Sequence, residues 1–372
     1  MTSTYLPSPQ SRAPATSSRG LFSADEYASV ERFFRGQPAL RPTPLTSLPH
    51  LANTLGLGTL LAKDETARFG LNAFKLLGAR FAIEQLMHDG SIRTGDTLVC
   101  ASEGNHGRAV AHTARSVGCG ARVYLSASVA QARADAIAGE GAIVVRVPGT
   151  YDDAVRVAAT EASTQGWTVI SDTSWPGYEH IPRLIMLGYS WMVDEMVRAM
   201  PQGWRPDAIF VPGGVGGLLA GIASRSAWLW PTPPRIITVE PASAACLQVS
   251  ARAGAPTLVP GPFDTVMGGL RCGEVSPLAF HAVAPLVDAY IGIDDAWAMD
   301  AMRRLARPAG ADPTLAAGAS GAAALGGLLA TLEDAAAAGV KEALALGITS
   351  SVVVIVSEGV TDPSLWHRVV GN

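Results

Sequence analysis

The chain has 372 residues, 48% hydrophobic and only 16% charged, enough apolar material for two medium domains or one large α/β unit with an insertion. Basic residues number 28 and acidic residues 32, so the formal net charge is −4, which leaves no electrostatic footprint for nucleic acid or an anionic membrane. Gly (39) and Pro (25) are frequent without a repeat, a composition of many tight turns rather than of collagen or wholesale disorder.

In chain order, residues 1–20 are rich in Ser, Thr, Pro and Arg with no apolar core and are expected as a disordered tail. Residues 23–34 predict a helix with Ser23 as N-cap and Asp25 and Glu26 in its first turn. The stretch Arg41-Pro-Thr-Pro-Leu45 predicts a rigid extended turn, followed by a short helix over 51–55 and a strand over 60–63. From Ala73 a helical stripe (Phe74, Leu77, Phe81) begins, with Asn72 as the expected N-cap. Strands over 97–100, 121–125, 142–147 and 168–171 alternate with helices over 105–117, 130–138 and 151–164, a run that implies a parallel sheet. A second series follows: helix 183–200, strand 208–211, helix 218–228, strand 236–239 and, much later, the β-branched strand 351–356, which reads as a buried central strand. Two parallel sheets without a linker argue for two interleaved domains with a ligand cleft at strand C-termini.

Residues 208–224 and 313–332 are uncharged or nearly so, but Ala and Gly dominate them, so they read as buried core rather than membrane spans. Cys100, Cys119, Cys246 and Cys272 form no CxxC pair, and the seven histidines form no HExxH. Buried thiols in a reducing cytosol, and no metal site, are the expectation.

Five places carry candidate chemistry. In Arg68-Phe-Gly-Leu-Asn-Ala-Phe-Lys75 a lysine stands near a helix start, where the dipole disfavours a cation; if also buried, its pKa falls and it becomes a nucleophilic amine. Val211-Pro-Gly-Gly-Val-Gly-Gly-Leu218 links a strand to a helix, and its backbone N–H groups suit a phosphate. With Glu240 beyond the next strand, the same loop partly imitates a dinucleotide fingerprint, although Leu219 stands where the third glycine belongs. In Ala101-Ser-Glu-Gly-Asn-His-Gly-Arg108, Asn105 can donate to a phenolate oxygen, and Ser102 and the loop amides can hold a carboxylate; the alternative is a polar loop with Asn105 as N-cap. Asp172 ends a strand as a base, an amine binder or a cap, and Ser357 follows the central strand as a partner for a ring nitrogen or a plain turn residue.

Together these stretches resemble the fold-type II pyridoxal-phosphate enzymes, the group of threonine dehydratases and tryptophan synthase β. Within that group the chain is most similar to the diaminopropionate ammonia-lyases. The resemblance rests on RPTPL (41–45), KDE (63–65), RFGLNAFK (68–75), EGNHGR (103–108), DTSWPGYEHIP (172–182), GVGG (214–217), GGLRCGE (268–274) and SEGVTD (357–362). It implies an α/β fold of two interleaved domains with mostly parallel sheets: residues 21–75 and 190–372 as the larger, cofactor-binding domain and 76–189 as the smaller. It implies pyridoxal 5′-phosphate on Lys75 as a Schiff base, with Phe74 against the ring, Asn105 at its phenolate oxygen, Gly214, Val215, Gly216 and Gly217 at the phosphate and Ser357 at the pyridine nitrogen. Ser102, Gly104 and His106 would bind substrate, and Lys75, Glu103 and Asp172 would move protons. A neutral hydroxyl at the ring nitrogen favours elimination over transamination. Two departures stand out: Glu103 replaces the Asp of the lyase pattern, and Ala319 replaces its Glu.

The expected reaction is α,β-elimination from a small amino acid, 2,3-diaminopropionate to pyruvate and ammonia, by a cytoplasmic homodimer. Alternatives are β-replacement, racemisation or hydroxy-amino-acid dehydration on the same cofactor, a non-catalytic relative, or a nicotinamide-dependent oxidoreductase using Gly214, Gly216 and Glu240.

Overall fold

The computed structural model describes residues 1–9, 21–37, 39–102 and 104–371. Its strands are β1 (Ser3–Pro7), β2 (Leu45–Ser47), β3 (Thr59–Asp64), β4 (Thr97–Ala101), β5 (Gly120–Ser126), β6 (Ile143–Val147), β7 (Thr168–Val169), β8 (Ala208–Pro212), β9 (Arg235–Pro241), β10 (Ala289–Ile293) and β11 (Ser351–Val356). They form a seven-stranded sheet in the order β1-β10-β9-β8-β11-β3-β2 and a four-stranded sheet in the order β6-β5-β4-β7. The small sheet is parallel throughout, whereas the large one is parallel except at its edges, where β1 and β2 run antiparallel to their neighbours.

Residue type explains the centre. β11 is Ser-Val-Val-Val-Ile-Val, with Val352–Val356 all buried, as a strand covered on both faces requires. One cover is the helix Ala319–Glu333, whose small side chains let it sit on the sheet; a Cβ on Gly327 would lie 2.4 Å from Val239 Cγ2. This is the Ala/Gly-rich stretch read as core, and no helix among the described residues is long and apolar enough to cross a membrane.

Two local expectations fail for a shared reason, long-range pairing. The tail was expected to be disordered, but Ser3–Pro7 pairs with β10; residues 10–20 lie outside the described residues. Asn72 was expected to cap a helix, but its φ is 59°, Ala73 bridges Glu358, and the helix begins at Leu76 with Lys75 itself at the N-cap. Backbone bonds to β11's continuation, Phe74 N to Ser357 O (3.2 Å) and Gly359 N to Asn72 O (2.8 Å), hold the segment out of the helix.

The helix Leu76–His88 crosses the helix His180–Ala199 at two glycines. A Cβ on Gly78 would stand 2.5 Å from Tyr189 Cε1, and one on Gly188 would stand 2.6 Å from the Leu77 carbonyl oxygen. The helix Gly217–Leu229 packs on the other side of His180–Ala199, again through a glycine, Gly221, against the Met186 carbonyl. Close packing of these three helices brings the start of the first, at Lys75, near the start of the third, at Gly217.

Candidate active site

The lysine loop leaves β3 and is held by charges that never reach water. Arg68 donates to Glu195 Oε1 (Nη1, 2.9 Å), to Glu195 Oε2 (Nη2, 2.6 Å) and to both oxygens of Glu65, while Lys63 Nζ donates to Glu195 Oε2 at 2.6 Å. Thr43, from the RPTPL turn, ties the same groups together. Two cations face two carboxylates, and all four residues are buried, so each charge is paired, which offsets the cost of taking it out of water. This cluster anchors a turn in which Phe69 (φ 50°) and Asn72 (φ 59°) are both left-handed, conformations that persist only where the surroundings impose them.

The loop delivers Lys75 Nζ to 2.5 Å from Asp172 Oδ2. Of the chain's three lysines, Lys63 lies in the buried cluster and Lys341 on the helix Ala338–Ala343, so Lys75 alone lines the cavity between the sheets' C-terminal ends. The expected lowering of its pKa is not found. Burial does disfavour the ammonium, but the charge of Asp172 outweighs it and raises the pKa. For Asp172, burial works against ionisation and the Lys75 charge overcomes it, so the carboxyl is held well below its usual range. The proton of this pair therefore resides on Lys75 Nζ, and Asp172 is an acceptor.

Behind the pair lies His106. Its Nε2 is 2.8 Å from the Ile170 carbonyl; a carbonyl only accepts, so the proton is on Nε2 and Nδ1 carries the lone pair. Nδ1 is buried without a hydrogen bond, 3.9 Å from Asp172 Oδ2. Burial pushes this imidazole below its ordinary pKa, and the nearby ammonium adds to the effect against the pull of Asp172.

His106 and Asn105 open the helix Asn105–Ser116, and Gly104 (φ 142°), not Asn105, is its N-cap. Ser102 Oγ accepts from Gly104 N and from Gly107 N, both at 2.9 Å. The hydroxyl thus caps the helix, and among the described residues no acceptor is found for the Asn105 and His106 amides of its first turn, where a carboxylate would gain from the helix dipole. Glu103 lies outside the described residues.

Across the cavity, β8 passes through Gly213 to Gly216 (φ 100°) into the helix Gly217–Leu229, whose start has no side-chain cap. Gly213 has no room for a side chain: a Cβ would be 2.4 Å from Thr238 Oγ1. Cβ-free turns before an uncapped helix of thirteen residues are an anion cradle. Ser357 closes the floor at the end of β11, its Oγ 3.5 Å from the Ser320 carbonyl. The residues fit a phosphorylated aldehyde: glycine amides for the phosphate, a lysine amine for the aldehyde, Phe74 beside that lysine, and a hydroxyl below.

Phe74, Lys75, Ser102, Gly104, Asn105, His106, Asp172, Gly214, Val215, Gly216, Gly217 and Ser357 all line this single cavity. It also includes residues that sequence reading missed: Tyr151, Gly269, Cys272, Ser320 and Glu358. Gly269, Cys272 and Glu358 had a signal, the first two inside GGLRCGE and the third directly after Ser357. Tyr151 opens a helix of the smaller sheet, and its hydroxyl pKa is pushed up by burial and then by the charge of Asp172. Cys272 is half-exposed rather than buried. Glu240 is not free for a ribose. It is wholly buried, it accepts from Leu247 N (2.7 Å) and Gln248 N (2.8 Å), and burial pushes its pKa up to about 8.

A family model described as pyridoxal-phosphate dependent enzyme matches residues 37–358. The diaminopropionate ammonia-lyase of Escherichia coli (strain K12) is 36% identical over 367 residues, 94% of this chain and 92% of that protein. A crystal structure of the Escherichia coli diaminopropionate ammonia lyase in complex with an aminoacrylate-PLP azomethine reaction intermediate has a TM-score of 0.91 at 34% identity, covering 99% of this chain and 97% of that one. The same lyase in complex with D-serine gives 0.90 at 33% identity, over 99% and 97%.

Proposed function

Because the chain belongs to the family of pyridoxal-phosphate-dependent enzymes, we propose that it is a diaminopropionate ammonia-lyase, converting 2,3-diaminopropionate and water to pyruvate and two ammonia by α,β-elimination. The observation that carries this reading is the Lys75–Asp172 pair, 2.5 Å apart, in a cavity whose opposite wall is the glycine cradle. The likeness to the lyase over nearly the whole of both chains supports the choice of substrate.

Pyridoxal phosphate, when bound, supplies the electron sink that stabilises negative charge at the substrate Cα. Gly214, Val215, Gly216 and Gly217 would hold its phosphate, Lys75 its aldehyde carbon, Asn105 its ring oxygen and Ser357 its ring nitrogen, with Phe74 packed beside the ring. The chain's own residues then handle carboxylate and protons. The amides of Asn105 and His106, in the loop folded by Ser102 and Gly104, receive the substrate carboxylate. Lys75 Nζ, once displaced from the aldehyde carbon as a neutral amine, would take the Cα proton, and the ammonium so formed would be held by Asp172 Oδ2. An amine leaves readily only as ammonia, so it needs a proton. The depressed pKa of Asp172 argues against Asp172 as that donor and favours Lys75 Nζ. Glu103 is proposed as the base for the opposite Cα configuration. The nicotinamide alternative loses its acid, because Glu240 is engaged with backbone amides.

The test is to incubate the yellow protein with D- and L-2,3-diaminopropionate, serine and threonine, and to assay keto acid and ammonia. Two ammonia per pyruvate from diaminopropionate, at a kcat/KM above those for serine and threonine, is the expected result. Faster turnover of a hydroxy amino acid, or ammonia without keto acid, contradicts it. The resemblance also carries the proposals of a cytoplasmic homodimer and of a smaller domain over residues 76–189.

A further inference from the structure

Asn105 and Glu358 come from different lobes. Asn105 opens the helix that follows β4 of the small sheet, and Glu358 follows β11 of the large one. Asn105 Nδ2 donates to Glu358 Oε2. A carboxylate only accepts, so this contact decides which way the Asn105 amide faces: Nδ2 must point to Glu358, and Oδ1 away. The NH₂ group has a second proton, free to serve another acceptor in the same cavity.

Glu358 is itself held. It is 2% exposed, and Thr361 Oγ1 approaches its Oε2 at 3.5 Å. Arg133 Nη2 donates to Thr361 Oγ1 at 3.1 Å. Arg133 belongs to the helix Gln131–Gly139 of the small lobe, and its stem and guanidinium pass between Gly104 and Gly268: a Cβ on Gly104 would lie 3.0 Å from Arg133 Cδ, and one on Gly268 3.2 Å from Nη1. Two side chains of the small lobe, Asn105 and Arg133, thus grip the segment 358–361 of the large lobe, one directly and one through Thr361.

We propose that Glu358 is a positioning residue that locks the Asn105 amide with its second N–H turned to the cofactor's ring oxygen, joining cofactor binding to the closure of the two lobes. This rests on the assignment of Asn105 to the ring oxygen, and the experiment keeps the two apart. The full chain, depleted of cofactor, is titrated with pyridoxal phosphate by absorbance. Glu358→Met keeps the volume but loses the acceptor; Glu358→Gln keeps an acceptor oxygen. A hydrogen bond to a charged group is worth roughly tenfold or more in binding, so Asn105→Ala and Glu358→Met are each expected to weaken the dissociation constant about tenfold. The double variant should be no weaker than the weaker single one, and Glu358→Gln should stay within about threefold of wild type. A merely structural Glu358 would give losses that multiply in the double variant, which overturns the proposal. So does an unchanged affinity in Glu358→Met beside a weakened Asn105→Ala. An unchanged affinity in Asn105→Ala removes the assignment of Asn105 and this inference with it. Should Glu358→Met not fold, Thr361→Val takes its place: a loss of about threefold that vanishes in the Asn105→Ala background supports the lock, and a loss that persists there overturns it.

Discussion

At the scale of single residues, the Lys75–Asp172 pair is defined by two opposed effects. Burial alone would strip the ammonium of its proton, and the neighbouring carboxylate keeps it there. Removing that carboxylate should let burial win. In Asp172→Asn the pKa of Lys75 should drop, so that cofactor capture by the depleted protein begins at lower pH than in wild type, as a stopped-flow pH series would show. The same variant should lose about tenfold or more in kcat, the scale of one hydrogen bond to a charged group, because the protonated Lys75 loses the carboxylate that stabilises it. His106 gives a second pH prediction. Its folded pKa lies below the ordinary value near 6.5, so the unfolded chain binds a proton that the folded chain refuses. That contribution to stability is complete above about pH 6.5 and fades as pH falls through the folded pKa. Denaturant titrations should therefore show a decline on the acid side that is shallower in His106→Gln.

At the scale of elements, local pattern and long-range contact divide what the sequence could reveal. The alternation of strands and helices was legible because short apolar runs alternate with helical apolar stripes; Thr97–Ala101 falls on its apolar run and Ser351–Val356 on its β-branched one. The start of the lysine helix was not legible. Its true N-cap depends on Ala73 pairing with Glu358, which no local window contains. β1 was hidden for the same reason, since its partner begins nearly three hundred residues away. The buried charges around Arg68 belong here too: KDE and RFGLNAFK were read as motifs, but Glu195 completes them from a distant helix. Arg68→Met leaves two buried carboxylates short of a cation and should cost about 3–5 kcal/mol in denaturant unfolding. Gly78→Ala forces a methyl group against Tyr189 and Ile185; it should cost about 1–3 kcal/mol and weaken cofactor binding, because it displaces the helix that starts beside Lys75. Wild-type cofactor affinity in Gly78→Ala would show that the helix crossing does not set the lysine.

At the scale of the whole molecule, the site belongs to neither sheet alone. Lys75 and Ser357 come with the large sheet and Asn105 and His106 with the small one, while Asp172 follows β7 and meets Lys75 across the gap. The motifs pointed to most of the polar residues that line the cavity, because strand C-termini converge in such folds. They did not tell which residues join the lobes: Glu358 and Thr361 lie inside SEGVTD with nothing to mark their partners, and Arg133 lies in none of the motifs. The central claim is that one amine among three lysines takes the cofactor. Borohydride reduction of the yellow protein, followed by peptide mass spectrometry, tests it directly. The pyridoxyl group should be found on the peptide containing Lys75 and be absent from Lys75→Ala; a label on Lys63 or Lys341, or an undiminished label in that variant, would contradict the account.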